Sequence, residues 1–277
     1  MQKIQANFHT HTVLCDGKNT PLEMAQRAAE LGFTHPGFSG HMDPDIHMEF
    51  QEYVRQIGLL KEQFKGRLDI LMGVELDALY DPDCAPQAEY IIGSTHFMDV
   101  DSEIPMSVDN TEEMLVRLCH EFYADDYYAM SKAYYELEAT VYDRLHCTFV
   151  GHFDLITRFN DSLHFLDETD PRYYMPALEA MEHLVKQGVP FELNTGAVYR
   201  GRKKEFYPNN FLLKNLHEFG GEIFISSDAH QREHLNGCFD EAARAALLCG
   251  FDHYNILEHG GEGRVVMREV PLVNHAV

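Results

Sequence analysis

The chain has 277 residues, 45% of them hydrophobic, with 45 acidic and 22 basic residues and a formal net charge of -23. Its apolar runs fall short of the ~18 residues that a membrane-crossing helix needs, and so acidic a chain repels phosphate backbones, which argues against nucleic acid as a partner. The six cysteines (Cys15, Cys84, Cys119, Cys147, Cys238 and Cys249) form no Cys-x-x-Cys pair, so separate reduced thiols are expected rather than a zinc–thiolate or redox motif.

Lys3–Phe8 alternates apolar and polar residues and reads as a strand. Thr20-Pro21-Leu22-Glu23 is a capping box with proline at the first helical position, and the helix it opens stops at Gly32. A strand Phe33–Ser39, a helix Phe50–Phe64 and strands Leu68–Leu76 and Tyr90–Thr95 follow. Thr111 opens a helical region, and a second helix is expected over Met130–Leu145. Then come a strand Cys147–Gly151, a helix from Asp170-Pro171 to near Gly188, and a strand Val189–Asn194. Helix Pro208–Phe219, strand Ile223–Ser227, helix Cys238–Cys249 and a last strand Tyr254–Leu257 complete the order. Tyr80–Pro86 and Val100–Asn110 read as surface loops.

Strands alternating with helices pair in parallel through crossovers, and about seven such units point to an α/β barrel rather than an open sheet. No linker or repeat divides residues 1–277, so one domain is expected. The first seven residues lack the apolar stretch of a secretory signal, so the expected location is the cytoplasm. The sequence leaves the oligomeric state open.

Seventeen histidines is a high count, and their placement is informative. His9 and His11 lie just past the first strand, where residues two apart face the same way and one metal can take both rings. Alone, such a pair is as readily two polar residues on an exposed strand end. The pattern recurs, however. His41 follows the second strand, Glu75 ends the third, His96 the fourth and His152 the fifth. Glu192 with Asn194 ends the sixth, and Asp228 with His230 the seventh. In a parallel barrel these ends share one face. Imidazole and carboxylate ligands without cysteine suit zinc, manganese or iron, and their number exceeds what one tetrahedral ion takes. Two or three divalent ions are therefore expected, offsetting the carboxylates and making the patch that an anionic substrate needs. His35, His120, His146, His164, His183, His217, His234, His253, His259 and His275 fall on helices, loops or the tail and read as surface or packing residues. His47, in the loop after His41, is an outer candidate.

These motifs, with Asp16-Gly17, Gly-Val-Glu75, Gly-His152-Phe-Asp-Leu, Glu-Leu-Asn-Thr-Gly and Ser-Ser-Asp228-Ala-His230, resemble the polymerase-and-histidinol-phosphatase (PHP) superfamily, its histidinol-phosphate phosphatase branch most of all. The resemblance implies a distorted (β/α)7 TIM-like barrel with three metal ions at the C-terminal ends of the strands. By position, His9, His11, Glu75 and Asp228 would hold the first ion. Glu75 as a bridge with His96 and His152 would hold the second, and His41, His230 and Asp16 the third. Many relatives read Ser/Thr-Asp-His where this chain has Ser39-Gly40-His41, so an acidic neighbour of His41 is missing, and Asp43 is a candidate replacement.

Arg158 and Arg200 follow strand ends, and their paired donors match phosphate oxygens. The implied reaction is hydrolysis of a phosphate monoester by metal-activated water without a phosphoenzyme. Asp228 or His230 would assist the leaving group, and L-histidinol phosphate, a histidine-biosynthesis intermediate, is the expected substrate. Glu192 and Asp77 would receive its cationic end. The sequence also admits three rivals: a related phosphoesterase for another small phosphate or a nucleotide, a metal-binding module without turnover, and a carbonyl-directed metal hydrolase. The last expects a lysine after a middle strand, whereas Lys132 and Lys186 lie on predicted helices.

Overall fold

The computed structural model describes residues 3–261 and 264–272, so His275 lies outside the described residues. The strands are β1 (Ala6–Asn7), β2 (His35–Phe38), β3 (His41–Met42), β4 (Leu71–Asp77), β5 (Tyr90–Ser94), β6 (Phe97–Met98), β7 (Met106–Ser107), β8 (Phe149–Val150), β9 (Phe191–Asn194), β10 (Ile223–Ser226), β11 (His253–His259) and β12 (Val265–Pro271). The helices are α1 (Pro21–Leu31), α2 (Phe50–Gln63), α3 (Glu112–Tyr123), α4 (Tyr127–Glu138), α5 (Val141–Leu145), α6 (Asn160–Leu163), α7 (Pro171–Lys186), α8 (Gly196–Tyr199), α9 (Asn210–Glu218) and α10 (Phe239–Cys249).

The order β1-β2-β4-β5-β8-β9-β10 forms a parallel sheet that curls on itself. Beyond β1 and β10 the chain meets again in a parallel bridge between Thr10 and Ala229. There the His11 amide donates to the Ala229 carbonyl at 2.9 Å, and the Ala229 amide to the His9 carbonyl at 3.1 Å. This is the distorted (β/α)7 TIM-like barrel that the sequence resemblance implies. β4 is buried along its whole length, as a parallel strand covered on both faces must be.

The capping box of α1 forms as the sequence predicts, with Thr20 accepting from the Glu23 amide and Gly32 closing the helix in the left-handed region at φ 80°. Asp126, Asp170 and Asn209 cap α4, α7 and α9 in the same way. Inside the barrel, Phe8, Tyr90, Phe149 and Phe224 pack ring against ring at centroid separations of 4.5–6.3 Å. Gly37 and Gly73 make room for Tyr90, because a Cβ at either position would overlap its side chain. These aromatics form the floor on which the polar mouth rests.

Three expectations are corrected. The helix read over Met130–Leu145 is two helices, α4 and α5, broken at Ala139-Thr140. The stretch Val100–Asn110 is not loop throughout, since β7 pairs antiparallel with β6. The last strand Tyr254–Leu257 extends to His253–His259 and carries an unanticipated antiparallel partner, β12. No helix among the described residues is long and apolar enough to cross a membrane.

Candidate metal centre

Glu75 lies at the middle of the mouth, on β4 and 1% exposed. Its two oxygens face opposite groups of imidazoles. Oε2 lies 3.1 Å from His9 Nε2, 3.4 Å from His11 Nε2 and 3.1 Å from His41 Nδ1. Oε1 lies 3.2 Å from His96 Nε2 and 2.9 Å from His152 Nε2. Asp228 Oδ1 completes the first group, 3.2 Å from His11 Nε2 and 3.7 Å from His9 Nε2. Asp228 has φ 48°, a left-handed conformation that turns its carboxylate into the mouth. On the outer side Asp16 Oδ2 lies 2.9 Å from His230 Nε2 and 3.8 Å from His41 Nε2.

Four overlapping sets therefore have ligand atoms close enough to share an ion: His11, Asp16, His41 and His230; His9, His11 and Asp228; His9, Glu75 and His152; and His41, Asp43 and His96. His9 Nε2, His11 Nε2, His41 Nδ1 and Glu75 Oε2 are buried and make no hydrogen bond, although each nitrogen lies 3.1–3.4 Å from that oxygen. Their lone pairs converge on common points instead of on each other, which is the arrangement a cation requires. The donor set, imidazole and carboxylate without thiolate, fits zinc, manganese or iron.

For His9 and His230 the second ring nitrogen is also engaged, which fixes the orientation of those rings. His9 Nδ1 lies 2.7 Å from Glu192 Oε1. His230 Nδ1 lies 3.0 Å from the Asp228 carbonyl oxygen. Asp43 Oδ2 stands 3.3 Å from His41 Nδ1.

Electrostatics support the same reading. Burial drives His41 down to about 3, leaving a neutral ring ready to ligate. Burial pulls His9 in the same direction, but Glu192, Glu75 and Asp228 outweigh it and push His9 up to about 10. Burial opposes the ionisation of Glu75 and Asp228, yet the facing imidazoles, and Arg200 for Asp228, hold both well below the usual carboxylate range. Without cations, protons must balance this cluster. Cations replace them.

Above the cluster lies a cavity of about 350 Å³, lined by Asp16, His41, Glu75, His96, His152, Asp228 and His230 from the ligand set. Arg158 and Arg200 also line it. Arg200 donates to the Asp228 carbonyl at 2.7 Å and to its carboxylate at 2.9 Å. Arg158 donates to Asp109 at 3.1 Å. The Nε of each guanidinium has no partner.

Glu192 and Asp77 do not line the cavity, which corrects the expectation that they receive a substrate's cationic end. Both are fully buried behind the imidazoles. Glu192 accepts from Ser226, from the His152 amide at 2.8 Å and from Asn194 at 2.9 Å, besides holding His9. Asp77 accepts from the His96 amide at 2.7 Å and the Leu79 amide at 2.8 Å. Besides Asp16, Glu75 and Asp228, the acids that line the cavity are Asp43, Asp45 and Asp109. Asp109 lies at the end of the stretch read as a surface loop. The pairing of β7 with β6, directly after His96, folds that end over the mouth. Lys18, Arg202 and Tyr207 also line the cavity without having been singled out, and so does His234, read as a surface or packing residue. His47 stacks on Tyr80 outside the lining.

Residues 7–196 match the family model described as PHP domain. The chain belongs to the PHP domain family. The span matched by the PHP model carries His9, His11, Asp16, His41, Glu75, His96, His152 and Glu192. A protein of Deinococcus radiodurans named "Probable histidinol-phosphatase" is 29% identical over 256 residues, covering 85% of this chain and 90% of its own. The histidinol-phosphatase of Bacillus subtilis is 24% identical over 253 residues, covering 80% of this chain and 92% of its own. Among solved structures, histidinol phosphate phosphatase from Lactococcus lactis, complexed with Zn, L-histidinol and phosphate, matches with a TM-score of 0.70 at 19% identity, over 95% of this chain and 98% of that one. That likeness is one of fold, and it extends past the region of the PHP match to the rest of the barrel.

Proposed function

We propose that this PHP-family chain is a metal-dependent phosphomonoesterase that hydrolyses L-histidinol phosphate to L-histidinol and phosphate, a step of histidine biosynthesis in the cytoplasm. Residues 1–277 would act as one unit on a small molecule. The observation that carries the reading is the arrangement of one cavity: an imidazole–carboxylate cluster at its floor and Arg158 and Arg200 on its wall. The relatives named histidinol-phosphatase support the choice of ester.

His9, His11, Glu75 and Asp228 would hold one ion, Glu75, His96 and His152 a second, and Asp16, His41 and His230 a third. When bound, such ions act as Lewis acids and lower the pKa of water to near 7. Arg200, fixed by two contacts to Asp228, and Arg158, steadied by Asp109, offer their remaining donors to the phosphoryl oxygens. Asp228 and His230 both line the cavity, and either would assist the departure of the alkoxide. Asp43 and Asp45 are acids of the cavity that can face an ammonium or imidazolium group. The net charge of -23 counts against nucleic-acid substrates.

Phosphate release from L-histidinol phosphate, read by malachite green, tests the reading. We expect turnover that a chelator abolishes and added zinc or manganese restores. A metal-loaded protein that released phosphate from other small esters but not from histidinol phosphate would move the substrate assignment. One that released none would overturn the phosphatase reading.

A further inference from the structure

Tyr207 lines the cavity and is 3% exposed, yet its hydroxyl has no hydrogen-bond partner. Buried hydroxyls are nearly always paired, so an unpaired one beside a binding cavity calls for a ligand. The side chain is firmly held everywhere else. Its backbone pairs with Asn194 at the end of β9, donating at 3.2 Å and accepting at 2.7 Å. The ring meets the His152 ring edge to face at 6.3 Å. The ammonium of Lys203 lies 5.2 Å from the ring centroid. Lys203 is itself buried and donates to the hydroxyl of Thr157 at 2.5 Å. Thr157 immediately precedes Arg158, so Lys203 ties the tyrosine ring to the segment that carries one phosphate-facing arginine.

We propose that Tyr207 is a further phosphate-binding residue, donating its hydroxyl hydrogen to a phosphoryl oxygen alongside Arg158 and Arg200. This inference rests on the phosphatase reading above for the identity of the anion. A tyrosine hydroxyl, with an ordinary pKa near 10, is protonated at neutral pH, so it acts as a donor and not as a base. Phosphoryl transfer spreads negative charge over the non-bridging oxygens, and a fixed neutral donor stabilises that charge without neutralising the cluster below. The hydroxyl needs no partner within the protein because the phosphate supplies one.

The test is Tyr207→Phe, which deletes one oxygen and leaves the ring against His152 and Lys203. Inorganic phosphate is titrated calorimetrically into the metal-loaded wild type and variant, and turnover of histidinol phosphate is measured beside it. We expect phosphate affinity to fall about tenfold and kcat/KM about 10- to 100-fold, as for loss of a hydrogen bond to a charged group. Metal content and melting temperature should match the wild type. Phosphate affinity and turnover within twofold of wild type would overturn the proposal. So would a loss of affinity that came with a loss of bound metal, since the effect would then lie in the cluster. If the wild type released no phosphate from any ester, the phosphatase reading would fall by itself, and the phosphate titration would still judge Tyr207.

Discussion

Each oxygen of Glu192 has two donors or ring nitrogens within reach: His9 and Ser226 on one, the His152 amide and Asn194 on the other. A glutamine there keeps one acceptor and turns an amide NH2 toward groups that need an acceptor, a costly mismatch in a buried network. Glu192→Gln is therefore expected to weaken metal binding about 10- to 100-fold through the misoriented His9. With metal restored to saturation, KM for the phosphate ester should stay near the wild-type value. A competition titration against a chelator, with steady-state kinetics at high metal, separates the two roles. Raised KM with unchanged metal affinity would return Glu192 to the substrate. Residue type and strand alternation pick out Glu192 as inward-facing, but they fix the face and not the depth along the barrel axis. Asp77 was misplaced for the same reason. Glu75, His96 and His152 were legible because each is an unmistakable ligand type within two residues of the end of a strand. Tyr207 and Arg202 were not, because they sit in irregular chain where no period assigns a direction.

On α4, Glu138 is wholly buried with both carboxylate oxygens unpartnered. Burial pushes its pKa up to about 8. Its value in the unfolded chain lies near 4.3. Between these values the folded protein binds a proton that the unfolded chain does not, so the contribution of this group to stability falls as pH rises. Glu138→Gln removes the titration while keeping the shape. Denaturant melts of the metal-loaded protein from pH 5 to 8 should show the wild type losing stability relative to the variant, by a few kcal/mol at most. Parallel pH profiles for the two proteins would refute the assignment. The same helix shows how far elements were readable. Its apolar and tyrosine-rich face announced a helix, but Thr140 carries no strong breaker, so the turn that starts α5 was invisible. β12 was missed because its exposed residues lack the apolar alternation of a half-buried strand, and only its pairing with β11 makes it one.

At the scale of the molecule, the metal cluster and the closure of the barrel occupy the same place. The ring of strands closes at its mouth through the Thr10–Ala229 bridge and the two hydrogen bonds beside it. The flanking residues are His9, His11, Asp228 and His230, so an ion held by His9, His11 and Asp228 has ligands on both sides of the seam. Cations bound there link the first strand to the last in addition to neutralising the buried carboxylates. Ligand binding to the native state alone adds about 4 kcal/mol at a thousandfold excess over Kd, and each kcal/mol shifts the melting point of a chain this size by roughly 2–4 °C. Chelation is thus expected to lower Tm by roughly 10 °C, with recovery on adding zinc or manganese. The loss should also be local. Amide exchange at His11 and Ala229 should accelerate before that at Val74 or Leu76 in β4, whose pairing with β5 stands away from the seam. A chelated protein with unchanged Tm and unchanged protection at the seam would mean that the barrel closes without its metals. The cluster would then serve chemistry alone.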